Sequence, residues 1–274
     1  MTCAWKELLS ILPQWMRSDV DRRGREALQE LRLRINAPPE LVLGEECVWL
    51  DRTVSMDDLQ FCINAASRYS PWAAETISQG YLTAPGGHRI GLCGEAAVHN
   101  GSVTGLRKPV SLCIRVARDF PGIGREIPVS GSLLILGAPG WGKTTLLRDV
   151  CRRISERETV CVVDERGEVF PEGIARGKRM DVLTGCPKGM GIDRCLRTMG
   201  PQWIAVDEIT AAEDCAAIGH AAGCGVKLLA TAHASSRADF LCRPIYRRLS
   251  ELGVFSRMIL LNQRKQWHLE RMNG

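Results

Sequence analysis

Residues 133–147 read LLILGAPGWGKTTLL, and this stretch decides the fold. Four aliphatic residues precede residues 137–144, which match the phosphate-binding pattern G-x-x-x-x-G-K-[ST], and a helix-forming run begins at Thr145. A strand, a glycine-rich turn and a helix in that order form the context that the pattern requires. The glycines let successive backbone N–H groups point at phosphate oxygens where a helix begins. The stretch therefore predicts a nucleotide-phosphate site, a P-loop, on an α/β sheet.

The loop also predicts which groups meet a nucleotide. Lys143 would bring a mobile ammonium to the β and γ phosphates, and the Thr144 hydroxyl would be a ligand of Mg²⁺. ATP and Mg²⁺ are therefore the predicted cofactors. The predicted nucleotide-binding residues are those of the loop and the residue after it: Gly137, Ala138, Pro139, Gly140, Trp141, Gly142, Lys143, Thr144 and Thr145.

A second strand, residues 203–208 (WIAVDE), ends in two carboxylates about sixty residues further on. Asp207 is predicted to hold the Mg²⁺ shell and Glu208 to polarise the attacking water. The runs 160–163 and 228–230 also end in polar residues, namely residues 164–168 (DERGE) and Thr231 with His233. Carboxyl ends of parallel strands face one crevice, so these groups are expected near the phosphates. For His233 a structural, capped role is the alternative.

Arginines outside the P-loop region are candidates for a second cation. P-loop ATPases often use an arginine in trans, which is worth about 10³ to 10⁵ in rate. The first part of the chain offers Arg89, Arg107, Arg115 and Arg118, for which a solvated strand face is the ordinary alternative. Arg89 in a glycine-rich segment and Arg115 on a strand leading toward a linker are the preferred candidates.

Apolar periodicity predicts two domains. Residues 31–35 and 112–116 alternate apolar and polar positions as half-buried strands do, and Asn100-Gly101 predicts a hairpin turn. Ser55 with Asp58 predicts a helix N-terminus with a capping box. Residues 1–120 are therefore expected to form a small α+β domain.

Residues 121–130, with two prolines and two glycines, are predicted to be a linker, and residues 131–274 a second domain. Apolar runs alternate there with helix-compatible segments, which predicts a mainly parallel sheet covered on both faces. The runs are residues 133–136, 160–163, 204–206, 228–230 and 258–261.

Composition excludes several classes of protein. The chain has 274 residues, of which 45% are hydrophobic and 24% charged, so disorder, collagen and coiled coil are excluded. Its net charge of +5 does not demand a polyanionic partner, although residues 241–274 are basic. The first domain has only a few aromatic residues for base stacking and the charge of this tail is modest, so a nucleic-acid partner is disfavoured. The twelve scattered cysteines indicate reduced, mostly buried thiols in a cytoplasmic protein.

The start of the chain and its hydropathy bear on membranes. Lys6 and Glu7 interrupt what would be the apolar core of a secretory signal, and no apolar run approaches the roughly 18 residues of a membrane span. Direct insertion is therefore not expected, and any membrane role would depend on partner proteins.

Taken together, residues 65–262 resemble the secretion ATPases of type II and type IV systems, which are RecA-like P-loop proteins, and within them a sporulation family. The segments that carry the resemblance are residues 137–144, 164–168, 181–188, 196–197 before Pro201, 206–208, 230–233, 80–91 and 111–118.

The resemblance implies a RecA-like ATPase domain preceded by a smaller α+β domain. It implies a homo-hexamer whose amino-terminal domains reach a neighbour's nucleotide, which suits Arg89 and Arg115. It also implies work on a membrane-embedded channel or secretion complex between mother cell and forespore. Residues 164–168 correspond to the family's Asp box and His233 to its His box. Because Asp164-Glu165 and Asp207-Glu208 depart from the pilus motors' Glu-Asp-Pro and Gly-Glu, the water-positioning carboxylate stays open, with Glu208 favoured over Glu165.

The predicted function is thus an oligomeric ATPase that couples Mg-ATP hydrolysis to an assembled channel or secretion complex in sporulation. A metabolic P-loop kinase would share the phosphate cradle but need an acceptor pocket. A nucleic-acid-dependent ATPase is a further alternative, suggested by the basic tail. A GTPase is disfavoured because the sequence lacks Asn-Lys-x-Asp.

Overall fold

The computed structural model describes residues 3–68, 77, 80–99 and 102–272. The chain divides into two compact units, Met1–Asp119 with Glu172–Ile174, and Phe120–Pro171 with Ala175–Gly274. Residues 172–174 join the first unit because Gly173 approaches Gly86 so closely that an added Cβ would lie 3.0 Å from Gly86 Cα. The predicted domain boundaries at 120 and 130 stay a prediction.

The first unit has an antiparallel sheet in the order β3-β2-β1-β6-β5-β4. Its described elements are α1 (Trp5–Ser10), α2 (Gln14–Gly24), β1 (Glu30–Arg34), β2 (Glu40–Leu43), β3 (Glu46–Trp49), α3 (Met56–Ala66), β4 (Tyr81–Thr83), β5 (Arg89–His99) and β6 (Ser102–Arg115). Alternate side chains of β1 and β6, such as Leu31, Leu33 and Ile114, are fully buried in one apolar core with residues of the helices. The α+β character predicted for this part is confirmed.

Two local predictions concern this unit. Ser55 caps α3, since its hydroxyl accepts from Asp58 N at 3.1 Å while Ser55 N donates to the Asp58 carboxylate at 2.9 Å. The capping box is therefore confirmed. Strands β5 and β6 pair antiparallel up to His99 and Ser102, whereas the predicted turn residues Asn100 and Gly101 lie outside the described residues.

The second unit has a sheet in the order β13-β12-β7-β11-β10-β8-β9, parallel except for β13. Its described elements are β7 (Leu133–Leu136), α4 (Lys143–Ile154), β8 (Val160–Asp164), β9 (Met180–Thr184), α5 (Lys188–Met199), β10 (Trp203–Val206), α6 (Ala212–Gly223), β11 (Lys227–Ala232), α7 (Arg237–Cys242), α8 (Pro244–Glu251), β12 (Arg257–Leu261) and β13 (Trp267–Arg271). The mainly parallel sheet is confirmed, and all five predicted strands are present.

Two edge strands were not predicted. β9 and β13 contain only exposed and half-buried residues, because each has a strand neighbour on one side only. Their apolar residues therefore form no continuous run of the kind that marks the central strands.

Two further findings concern the cysteines and the helices. The expectation that most thiols are buried is wrong, since Cys47, Cys93, Cys224 and Cys242 are exposed and three others half-buried, although all twelve are free thiols. Among the described residues, no helix is both long and apolar enough to cross a membrane.

Candidate nucleotide site

The phosphate loop joins β7, whose four residues are all buried, to the first turn of α4. Gly140 and Gly142 have φ angles of +79° and +95°, the left-handed region that glycine adopts without strain. Gly142 precedes the helix directly, and Lys143 is its first residue. The unpaired N–H groups and the dipole of the helix start are therefore available to an anion, as the sequence pattern predicts.

A chain of three side chains crosses the site. Lys143 Nζ donates to Ala138 O and to His233 Nδ1, both at 3.1 Å, and His233 Nε2 lies 3.0 Å from Glu208 Oε1. An ammonium has no acceptor, so Nδ1 must accept and the ring proton must be on Nε2, donated to Glu208. The lysine is only 7% exposed, and burial lowers the pKa of its ammonium, an effect that Asp207 and Glu208 oppose. Three predicted site residues, 25 or more positions apart in the sequence, thus form one hydrogen-bonded chain.

The end of β10 meets the start of α4 through a second set of contacts. Asp207 accepts from the Thr144 hydroxyl at 2.8 Å and from the Thr231 hydroxyl at 2.7 Å. Burial raises the pKa of the Asp207 carboxyl, and the two hydroxyl bonds act in the opposite direction. The structure therefore brings together the two predicted metal ligands, Thr144 and Asp207.

Glu208 follows Asp207 in an unusual conformation. Its φ is +55°, which costs free energy for a non-glycine residue, and its N–H donates to the Thr231 hydroxyl at 2.7 Å. The next residue, Ile209, donates to Thr231 O at 2.8 Å. Thr231 therefore orients Asp207 through its hydroxyl and holds the strained turn that directs Glu208 toward His233.

The two acidic residues at the end of β8, Asp164 and Glu165, have different partners. Asp164, 1% exposed, accepts from the N–H groups of Glu168, Val169 and Phe170 at 2.8–3.0 Å, so it closes its own loop. Burial raises the pKa of this carboxyl, against the effect of those N–H groups. Glu165 instead binds Lys188 Nζ at 2.6 Å. A crevice at these strand ends is lined by Asp164, Glu165, Arg166, Glu168, Lys188, Asp207, Glu208 and Thr210.

The site fits the predicted cofactors. Mg²⁺ is bound in nucleotide sites by one or two protein oxygens together with phosphates and water, and Thr144 and Asp207 offer such oxygens side by side. Among the described residues no group of three or more acidic, histidine or cysteine side chains forms a metal cage of its own. Because Mg²⁺ takes its remaining ligands from phosphates and water, the Thr144–Asp207 oxygen pair suits an ion that arrives with a nucleotide.

Comparison with known proteins identifies the family. The family described as "Sporulation stage III, protein AA" matches residues 6–270. The chain belongs to this family. It is 36% identical over 280 residues to the stage III sporulation protein AA of Bacillus subtilis (strain 168), across 94% of this chain and 91% of that protein.

The fold of this sporulation-family chain is that of secretion ATPases. The ATPase DotB of Legionella pneumophila superposes with a TM-score of 0.65 at 18% identity, covering 95% of this chain and 80% of DotB. The pilus retraction motor PilT, solved with bound ADP, superposes with a TM-score of 0.63 at 14% identity, covering 89% and 76% of the two chains. The predicted RecA-like architecture and the resemblance to secretion ATPases are confirmed.

The two predicted trans arginines of the sporulation-family chain lie side by side in the first unit. Arg89 and Arg115 are register partners on β5 and β6, so their side chains share one face of the sheet. The Arg115 guanidinium, 66% exposed, lies 3.4 Å from Glu30, and that of Arg89 lies 5.3 Å from the ring centre of Tyr81. Both belong to the first unit, whereas the phosphate loop belongs to the second.

Three functional candidates of this chain escaped the predicted site list, namely Lys188, Thr231 and Asp214. Thr231 follows the apolar run 228–230 and was expected, with His233, near the γ-phosphate, whereas its bonds to Asp207 and to Glu208 N were not predicted. One feature of the sequence could have indicated Lys188: it directly follows Pro187 at the start of a helix, where the helix dipole disfavours a positive charge. Asp214 had only the ordinary acidic signature of a first helical turn.

Proposed function

We propose that this chain is an oligomeric ATPase that hydrolyses Mg-ATP and uses the energy to drive or assemble a membrane channel or secretion complex during sporulation. The observation that carries the proposal is the chain Lys143–His233–Glu208 beside the Thr144–Asp207 pair. Its family membership and its secretion-ATPase fold support the biological setting.

The residues divide the chemistry between them. The phosphate loop and Lys143 would bind the β and γ phosphates, and Thr144 with Asp207 would hold Mg²⁺, which neutralises charge that develops on the phosphates. The Lys143 ammonium has three N–H donors and two present acceptors, Ala138 O and His233 Nδ1, so it can also donate to a phosphate oxygen. Glu208, which the strained backbone holds next to His233, would then orient the attacking water. Arg89 or Arg115 of a neighbouring copy would supply the last cation.

A cavity of about 350 Å³ beside the loop supports a nucleotide rather than a simple phosphate ligand. Its walls include Phe120, Ile123, Trp141, Thr145 and Trp267, all in the second unit. Apolar and aromatic walls favour stacking of a planar base, worth about 1–3 kcal/mol. We place the base in this cavity.

The base assignment predicts a defined binding defect. Trp267→Ala should weaken ATP binding about tenfold, since a stacking contact is lost. Tripolyphosphate has no base, so its affinity should stay unchanged. Trp49→Ala, which removes an indole 49% exposed in the first unit, is the matched control. Equal losses for ATP and tripolyphosphate would contradict the assignment.

The central test is hydrolysis by the Glu208→Gln protein. We expect kcat to fall about 10²-fold or more, while the nucleotide still binds. Glu251→Gln, an exposed glutamate on α8, is the control. Wild-type protein that binds no Mg-ATP by calorimetry, alone or as an oligomer, would refute the proposed function.

Assembly is tested separately on the Glu208→Gln protein, which should hold its nucleotide. Mass photometry with and without ATP should show a larger species with ATP. Arg89→Ala and Arg115→Ala should lower hydrolysis about 10³-fold if either is the trans cation. Wild-type rates in both variants, or a monomer at every concentration, would exclude the trans mechanism. Hydrolysis without a phosphoacceptor or nucleic acid would argue against the kinase and nucleic-acid alternatives.

A further inference from the structure

Lys188 is a lysine in an unfavourable place. It is the first residue of α5, where the helix dipole disfavours a positive charge, and it is only 8% exposed. Removing an ammonium from water costs several kcal/mol unless other charges compensate it. A buried lysine at a helix N-terminus therefore needs negatively charged partners, and the identity of those partners indicates its role.

Its partners come from the acidic end of β8 and from the first turn of α6. Lys188 Nζ lies 2.6 Å from Glu165 Oε2 and 3.8 Å from Asp214 Oδ2. Glu165 directly follows β8. Asp214 accepts from Thr210 N at 2.9 Å and Ala211 N at 3.1 Å, so it holds the segment that leads from Glu208 to α6. One ammonium therefore connects the segments that carry both candidate water-positioning carboxylates.

The two carboxylates consequently have different partners. Glu208 accepts from an imidazole N–H at 3.0 Å, whereas a charge-assisted hydrogen bond to an ammonium occupies Glu165. The crevice contains five carboxylates, those of Asp164, Glu165, Glu168, Asp207 and Glu208, against the cations of Arg166 and Lys188. Releasing Glu165 from Lys188 would leave its carboxylate without this counter-ion in a crevice that contains four other carboxylates.

We propose that Lys188 is a positioning residue for hydrolysis: by binding Glu165 and Asp214 it holds Glu165 out of the base role and keeps Glu208 in place. This inference rests on the proposed ATPase function. It settles the open choice between the two carboxylates in favour of Glu208, and it assigns Lys188 no contact with the nucleotide itself.

A purely structural ion pair would behave differently. Replacing both members of a buried pair by neutral groups is often neutral or stabilising, whereas removal of one member leaves an uncompensated charge. A double variant therefore separates the lysine's effect on Glu165 from any direct action on phosphate. The pair Lys227–Glu158 has the same 2.6 Å separation at the opposite, amino ends of the strands, with a lysine that is 42% exposed, which makes Lys227→Met a control for the loss of an ion pair away from the site.

The experiment compares Lys188→Met, Glu165→Gln, their double variant and Lys227→Met in steady-state ATP hydrolysis, with thermal unfolding of each protein. We expect Lys188→Met to lower kcat about 10²-fold with KM changed less than about threefold, because positioning rather than binding is lost. The double variant should recover at least about tenfold of that loss. Lys227→Met should keep the wild-type kcat.

Three results would overturn the inference: wild-type kcat in Lys188→Met, no recovery in the double variant, or a loss in Glu165→Gln as large as in Glu208→Gln. If Lys188→Met does not fold, Lys188→Arg and the charge-neutral double variant carry the test, and both should be active. Wild-type protein without hydrolysis would refute the proposed function instead, so the two failures are distinguishable.

Discussion

Two sets of buried polar groups, His88 in the first unit and Lys143 with Asp207 in the second, have different kinds of partner. In the first unit His88 is fully buried; its Nε2 lies 2.9 Å from Ala4 O, and its Nδ1 accepts from Ala117 N at 3.1 Å. These partners are main-chain groups of its own unit. In the second unit the buried Lys143 and Asp207 bind mainly other side chains, at the carboxyl ends of the strands.

The difference teaches what a buried polar group is for. A buried side chain that hydrogen-bonds main-chain groups holds two segments of the chain together, and its loss leaves those main-chain groups without a hydrogen-bond partner. Side chains that bind one another can exchange partners for a ligand, so their arrangement serves chemistry. Removal should therefore cost stability at His88 and activity at Lys143 and Asp207.

The largest expected effect is that of Lys143→Met. Hydrolysis should fall at least about 10²-fold, because the ammonium that stabilises charge on the phosphates is lost. Thermal unfolding should change little, since burial of the charge also ends. Steady-state hydrolysis and calorimetric unfolding of the same preparation measure both, with Lys227→Met as control. A folded, active Lys143→Met protein would break the comparison.

Asp207→Asn should separate activity from stability even more clearly. Burial raises the pKa of this carboxyl in the folded state. A carboxyl whose pKa is raised by folding contributes most to the free energy of unfolding below its unfolded pKa. That contribution is lost as pH rises through the pKa of the folded state, so an ionised Asp207 lowers stability at pH 7. The variant should unfold at an equal or higher Tm at pH 7 while Mg-dependent hydrolysis falls about 10²-fold. A lower Tm would contradict this account.

His88→Leu, unlike Asp207→Asn, is expected to lower stability and to leave ATP hydrolysis unchanged. It leaves Ala4 O and Ala117 N without their partner, which should lower the free energy of unfolding by about 2–3 kcal/mol. Urea denaturation measures the change, and His268→Leu, an exposed imidazole on β13, is the control. An unchanged midpoint would show that His88 does not join these segments.

The same histidine predicts a pH dependence. Burial lowers its pKa below the usual value of about 6.5, so the unfolded chain takes up a proton first as pH falls. Its contribution to stability is complete above about pH 6.5 and is lost as pH falls toward the lower, folded pKa. Denaturation midpoints between pH 7.5 and about 5 should therefore decline more in wild type than in His88→Leu.

The smallest expected effect is that of Asp239→Asn. Arg243 and the N–H of Ser235 lower the pKa of this half-exposed carboxyl to about 2. The ionised Asp239 carboxylate contributes to the free energy of unfolding above its unfolded pKa, and this contribution is lost as pH falls through about 2. The variant should therefore have a lower Tm than wild type at pH 7 and the same Tm near pH 2. The loss in Tm should be at most about 2 °C. If the Tm difference between the variant and wild type persists at pH 2, the charge of Asp239 is not its cause.

Local sequence patterns predicted much of the second unit. The five central strands are continuous apolar runs, and Gly140 and Gly142 mark the turn before α4, because few other residues adopt that backbone. The edge strands β9 and β13 were missed because they are half-exposed, and Lys188 because the partner that stabilises it is 23 residues away.

The order of residues along the chain by itself determined the strand, the phosphate loop and the helix, since each depends on neighbours within a few positions. Only the tertiary structure decided that Lys143 meets His233, 90 residues later, and that Glu165 binds Lys188 rather than facing the crevice freely. The reason is physical. Strand order and burial select the partner of each charged side chain, and both depend on contacts between distant segments that no local pattern encodes.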